Sequence, residues 1–356
     1  MTEGHGDDIY RYDDIRINFS SNVYTHADLS KLEEHLREMV GMIRNYPEPE
    51  PFSLEAVIAR KYDIPTECVL VTSGATEAIY LITRTFALQQ ESFSASILHP
   101  TFSEYEDACR MYGIPTLPDN EANAHSILWL CNPNNPTGSV VSPEKIQQYA
   151  RQFDYVVVDQ SYEDYTQAPM LTPQEAVSSD NILQLHSLTK TYAIPGLRIG
   201  YIIAPSHLIG LLRQYMGPWT VNTLAIEAGK WLIENDVRVL PDINTYLKET
   251  ERLRQCLNQI PGIKAAETQT NFFLAQVTPS TAAELKDYLA RYHHILIRDA
   301  SNFRGLTPHH FRISTQTSQE NDMLVNAIEE FMQRKKRSQR GNNLFPTWEC
   351  IVSDLV

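Results

Sequence analysis

Long hydrophobic runs are missing from this sequence of 356 residues. Its apolar stretches are of the kind Tyr155-Val156-Val157-Val158, far short of the roughly 20 residues a membrane-crossing helix needs. The opening residues, MTEGHGDDIYRYDD, are acidic and hold no apolar core of a secretory signal. A cytoplasmic protein, away from membranes, is expected. A basic excess is missing too. Asp and Glu number 44 against 30 Lys and Arg, a net charge of −14. That balance speaks against a general nucleic-acid binder and against attraction to anionic lipid. Cysteine is scarce: the five residues, at 68, 109, 131, 256 and 350, form no C-x-x-C pair and read as reduced thiols. No repeat of 20–50 residues is present, which excludes a solenoid. His293-His294 and His309-His310 fall in no metal-ligand spacing, so no metal site is expected.

What is present suits a folded chain of about two domains, with 42% apolar and 21% charged residues. Short β-rich runs alternate with amphipathic stretches through the middle. Strands are expected over Cys68–Thr72, Ala95–His99, Ser126–Cys131, Tyr155–Asp159, Ile182–His186 and Arg198–Ile203. Ala78, Ile79, Ile82 and Phe86 share one helical face, as do Ile146, Tyr149 and Ala150 behind the cap Ser142-Pro143. This alternation predicts an α/β domain with a mostly parallel sheet flanked by helices. Past Pro241 come a long helix over about 242–259, a strand at Asn271–Val277, a helix at Thr281–Tyr292 and strands at Ile295–Arg298 and Phe311–Ser314. A last helix opens on the capping box Thr317-Ser318-Gln319-Glu320. We therefore expect an N-terminal arm and small-domain segment over 1–44, a large domain over 45–240, a smaller α+β domain over 241–334, and a tail over 335–356.

Four segments could carry chemistry. Asn132-Pro133-Asn134-Asn135-Pro136-Thr137-Gly138 follows an apolar strand, at the sheet edge where α/β folds bind ligands; by composition it is also an ordinary turn. Asp159 ends a buried strand, where a carboxylate needs a partner or caps a helix, and Tyr162 follows it. Lys190, in Ser187-Leu188-Thr189-Lys190, precedes Arg198 by eight residues, a set that could hold an anion or form a plain loop. Ser73-Gly74-Ala75-Thr76-Glu77 lies between a strand and a helix, where free N–H groups attract anions.

Taken together and in this order, these segments resemble the fold-type I pyridoxal-phosphate (PLP) enzymes of the class I/II aminotransferase family. The resemblance covers roughly residues 17–332. It is carried by SLTKTYAIPGLRIGY and NPNNPTG, with SGATEA in support, and is nearest to the branch of histidinol-phosphate aminotransferases and threonine-phosphate decarboxylases. It implies the PLP-dependent transferase fold and a PLP cofactor. It implies Lys190 as the Schiff-base lysine, Asp159 as partner of the pyridine nitrogen, and Tyr162 and Asn135 as donors to the phenolic oxygen. Gly74, Ala75 and Thr76, with Ser187, Thr189 and Arg198, match the phosphate cup; Phe102 matches the ring-stacking aromatic. Tyr46 matches a tyrosine that serves the cofactor of a neighbouring subunit, implying a homodimer with shared active sites. Arg312 matches the arginine that grips the substrate's acidic group, and Arg298 and Asn22 are further candidates for binding the substrate.

The residue types suit that chemistry. A lysine amine forms an imine and moves a proton at the substrate Cα. The ring draws electrons best when its nitrogen is protonated, and an Asp about 4 Å away at an effective dielectric of 20 supplies roughly 4 kcal/mol for that. Two features differ from the family pattern: Gln160-Ser161 follow Asp159, and Ser20-Ser21-Asn22-Val23-Tyr24 lacks the usual Glu and Pro. The expected function is a PLP-dependent aminotransferase of amino-acid metabolism, acting on an amino acid or phosphorylated amine, a small-molecule substrate. A threonine-phosphate decarboxylase is the first alternative; a non-catalytic PLP-binding protein is the second.

Overall fold

The computed structural model describes residues 8–89, 92–118, 121–122 and 125–342. Thirteen strands are described in chain order: β1 (Ile17–Asn18), β2 (Val69–Thr72), β3 (Ser94–Ile97), β4 (Thr116–Leu117), β5 (Ser126–Cys131), β6 (Tyr155–Asp159), β7 (Ile182–Ser187), β8 (Gly200–Ile203), β9 (Ile263–Ala265), β10 (Phe272–Val277), β11 (Ile295–Leu296), β12 (Arg298–Asp299) and β13 (His310–Ser314).

The large sheet runs in the order β2-β8-β7-β6-β5-β3-β4. Only β8 opposes its neighbours; the remaining pairs are parallel. A parallel sheet must be covered on both faces, and the side chains alternate accordingly. Leu128, Leu130, Val156 and Val158 enter one apolar core, while Ile127, Trp129, Cys131 and Val157 enter the other. The helix Gly74–Gln89 buries Ala78, Ile79, Ile82 and Phe86, and Pro143–Ala150 buries Ile146 and Tyr149, as their spacing predicts. Ser142 caps the latter helix through Lys145 N–H. The carboxyl ends of β5, β6 and β7 share one edge, which positions the residues that follow them.

A four-stranded antiparallel sheet, β12-β13-β10-β9, packs with the helices Ile243–Asn258, Ala282–His293 and Ser318–Asn342 around a third core. The chain's beginning joins it. Ile17 and Asn18 pair with Ile295 and Leu296, and Ile17 and Phe19 enter that core. The helix Ser30–Met39, by contrast, packs on Thr223–Glu234 beside the large sheet.

Two expectations are corrected. The single strand over Ile295–Arg298 is two strands, because its halves serve different partners: Ile295–Leu296 pairs with β1 and Arg298–Asp299 with β13, the buried Ile297 lying between. The last helix, capped by the reciprocal Thr317–Glu320 bonds, continues past Arg334 to Asn342. The tail expected from residue 335 therefore begins as helix, held by a Lys335–Glu284 pair at 3.0 Å. Residues 343–356, with Cys350, lie outside the described residues. Among the described residues no helix is long and apolar enough to cross a membrane, no group of His, Cys, Asp or Glu has metal-site geometry, and Cys68, Cys109, Cys131 and Cys256 are free.

Candidate active site

A cavity of about 340 Å³ opens where the carboxyl edge of the large sheet faces the smaller one. Its floor begins at the start of the helix Gly74–Gln89. Gly74 has φ +82, and a Cβ there would sit 2.7 Å from the Arg198 guanidinium. A Cβ on Gly200 would meet His186 O at 2.7 Å and Ala75 N at 2.9 Å. Both glycines thus allow β7, β8 and the helix start to crowd together. The crowding collects the N–H groups of the first helical turn, the hydroxyls of Ser187 and Thr189, and Arg198. The Thr189 hydroxyl is buried and has no hydrogen-bond partner among the described residues. An orphan donor beside a guanidinium and a helix N-terminus fits a bound phosphate.

Asp159 ends β6, 3% exposed. Its carboxylate accepts from the Tyr105 hydroxyl at 2.6 Å and from Ser161 N–H and Oγ at 3.0 and 2.6 Å. Tyr105 is fixed by stacking on Trp129, centroids 5.2 Å apart; burial, with Asp159 beside it, pushes its hydroxyl pKa well up, so it stays a donor. Among the described residues Asp159 has no cationic side chain within ion-pair distance, only neutral donors. A buried carboxylate so placed gains strongly from a protonated ring nitrogen.

Lys190 follows β7 in the one-turn helix Leu188–Thr191. Its Nζ donates to Ser21 O at 3.0 Å and lies 5.7 Å from the Tyr162 ring centroid. Burial pushes the Tyr162 hydroxyl up to about 12, with the Arg312 charge pulling the other way; buried Asn22 faces that hydroxyl. The loop after β5 is pinned to the loop after β3: Asn134 accepts from Thr101 Oγ1 at 2.8 Å and donates to Pro100 O at 2.9 Å. That brace brings Asn135 and Phe102 to the cavity together.

The opposite wall is the smaller sheet. Arg298 and Arg312 are direct cross-strand partners, so both side chains leave the same face. They are 5% and 3% exposed. Arg312 donates to Asn135 Oδ1 and Ser20 O, and its Nε has no partner. Arg298 donates to Asn302 Oδ1 at 3.0 Å and lies over the Phe303 ring at 5.6 Å. Neither forms an ion pair among the described residues. Burial, with Arg298 adding repulsion, pushes Arg312 down to about 10, which leaves it a cation at neutral pH; burial lowers Arg298 as well. A surface pairing of Arg312 with Asp299 or Glu320 is excluded: Asp299 accepts Ser301 N–H, and Glu320 holds Thr317 and His26. Two buried like charges directly opposed are costly unless an anion lies between them. Arg304 stands apart, exposed and paired with Glu106 at 3.2 Å.

The cavity thus joins Ala75, Thr76, Phe102, Asn135, Asp159, Tyr162, Ser187, Thr189, Lys190, Arg198, Arg298 and Arg312. Gly74 and Asn22 stand just behind its lining. Tyr46 does not reach it; it is 84% exposed, beside Trp219 at 5.4 Å. Sequence reasoning missed Tyr105, Cys131 and Glu104, whose signals are slight: a tyrosine three residues past Phe102, and residues at the ends of a strand and a loop.

Residues 14–328 match the family described as aminotransferase class I and II. A solved L-threonine-O-3-phosphate decarboxylase from Porphyromonas gingivalis superposes with a TM-score of 0.84 at 36% identity, covering 89% of this chain and 100% of that one. A histidinol-phosphate aminotransferase of Thermoanaerobacter sp. (strain X514) is 27% identical, covering 84% of this chain and 88% of that protein. A histidinol-phosphate aminotransferase from Sinorhizobium meliloti, solved with pyridoxal-5'-phosphate, shares the fold at a TM-score of 0.78 and 18% identity, over 90% of this chain and 92% of that one.

Proposed function

The chain belongs to the class I and II aminotransferase family, whose cofactor is pyridoxal phosphate, and on that premise we propose that it decarboxylates a phosphorylated α-amino acid. The observation that carries this reading is the buried cross-strand pair Arg298 and Arg312, two guanidinium groups with no carboxylate partner. A substrate bearing both an α-carboxylate and a phosphate offers each of them an anion. The likeness to the decarboxylase from P. gingivalis supports the reaction type.

The residues divide the work. Arg198, Ser187, Thr189 and the first turn of the helix Gly74–Gln89 hold the cofactor's phosphate. Asp159, kept in place by Tyr105 and Ser161, keeps its ring nitrogen protonated. When bound, PLP supplies the electron sink that lets a bond at the substrate Cα break. Lys190 carries the cofactor between turnovers and returns a proton to Cα once carbon dioxide has left. Phe102 and Phe303 help to exclude water.

Incubation with O-phospho-L-threonine should release carbon dioxide and the aminoalkyl phosphate in equal amounts. Amino transfer from histidinol phosphate to a 2-oxo acid, without carbon dioxide, would make the protein an aminotransferase instead. No turnover of either substrate would leave a binding protein.

We also take the working form to be a cytoplasmic homodimer with shared sites. Tyr46, Val40, Ile43, Phe52 and Trp219 are large apolar side chains at least half exposed, a surface that association would cover.

A further inference from the structure

The short helix Glu163–Tyr165 sends three consecutive side chains into the segment that carries Lys190. Glu163 Oε1 lies 2.7 Å from His186 Nδ1. Asp164 Oδ2 accepts the Thr191 hydroxyl at 2.6 Å. The Tyr165 hydroxyl donates to the Lys190 main-chain carbonyl at 2.9 Å. The receiving segment, Leu188–Thr191, is a single helical turn in which Leu188 O and Thr189 O accept main-chain N–H groups at 3.0 and 3.1 Å. The Ala193 N–H also reaches Lys190 O, but at 3.4 Å.

Tyr165 is fully buried, and packing fixes where its hydroxyl stands. Its ring belongs to a cluster with Tyr162, Tyr246 and Phe272. Tyr246 in turn donates to Thr315 O at 2.6 Å, which ties the cluster to the end of β13. Asp159 and Tyr162 precede Tyr165 by only six and three residues. One continuous stretch, 159–165, thus builds the pocket for the cofactor ring and grips the backbone of the lysine.

We propose that Tyr165 is a positioning residue for Lys190, and that Glu163 and Asp164 brace the same segment, so that the turn 163–165 sets where the lysine amine meets the cofactor. The proposal rests on the reading of Lys190 as the cofactor-bearing residue. A displacement of about 1 Å in a reacting group costs on the order of 10²-fold in rate, and loss of one of three ties should cost less.

Tyr165→Phe removes one oxygen and no charge, since burial keeps the phenol protonated. In the PLP-loaded enzyme we expect kcat to fall about tenfold with KM within about twofold of wild type. The midpoint of the pH titration of the Lys190-bound cofactor's visible absorbance should move by about half a pH unit or more. The contact of His186 with Glu163, and Lys61 near Asp164, are left in place by this variant. Wild-type kcat and midpoint in the folded variant, whatever its melting temperature, would overturn the proposal. Should Tyr165→Phe fail to fold, Thr191→Val makes the same test at the half-buried end of the turn: a fall of about threefold in kcat supports it and an unchanged value overturns it. Borohydride labelling of the wild type separates the two readings. A pyridoxyl group on another lysine overturns the role of Lys190 itself, independently of what either variant shows.

Discussion

The two walls of the cavity carry different charges. On the large-sheet wall the charges are of both signs: buried Asp159 accepts three hydrogen bonds from neutral donors, and half-buried Lys190 donates to Ser21 O. On the smaller-sheet wall, Arg298 and Arg312 face each other across a β-ladder with only neutral oxygens to bond. Under the proposed function, the first wall suits a cofactor held throughout, and the second, with two like charges, suits an anionic substrate.

If that contrast is right, damage to the first wall should abolish chemistry, whereas damage to the second should weaken recognition. Lys190→Ala is the strongest challenge. Turnover should fall by at least about 10³-fold, and borohydride should no longer fix a pyridoxyl group on the chain. Turnover that survives would remove Lys190 from its role. Asp159→Asn keeps the shape and one acceptor oxygen, enough for either Tyr105 or Ser161 but not both, and loses the charge. We expect about 10²–10³-fold in kcat with the fold intact by circular dichroism. A variant within about tenfold of wild type, near 1.4 kcal/mol, would refute the electrostatic role.

The second wall is tested more gently. Arg312→Lys should lower kcat/KM at least about tenfold, mostly through KM, with cofactor absorbance and melting temperature nearly unchanged, because an ammonium cannot reproduce the planar fork. Equal kinetics toward every accepted substrate would make the arginine pair structural. Arg304→Ala provides the contrast within the same segment. It has the same charge but is exposed and already paired with Glu106, so its loss should cost about 0–1 kcal/mol of stability by thermal melting and leave KM within about twofold. A large KM effect there would extend the recognition wall outward.

The walls also differ in how far they could be read from sequence. Asp159, Asn135 and Lys190 sit at strand ends followed by compact motifs, so a few adjacent residues define both their place and their chemistry. Strand runs such as Ser126–Cys131 and Tyr155–Asp159 were legible for the same reason, being short, apolar and sharply ended. The opposition of Arg298 and Arg312 is a matter of register between strands, which no local pattern encodes. The break at Ile297 escaped notice because a continuous apolar run says nothing about which sheet each half joins. Tyr105 was invisible as the partner of Asp159, since the two lie 54 residues apart and meet only once the chain has folded. A tail was expected from residue 335, but ion pairs to Glu330 and Glu284 favour continued helix.

The beginning of the chain is stitched to its far end. Ser20 O receives Arg312, 292 residues on, Phe19 O receives Ser314 N–H, and Ser21 O holds the Lys190 amine. During synthesis, residues 19–21 are made first and must wait for β13 to emerge. The large sheet, whose strands all lie between Val69 and Ile203, can pair beforehand. A nascent chain can therefore hold a folded sheet and the lysine without yet presenting a finished catalytic centre, and the last strand of the smaller sheet acts as the closing stitch.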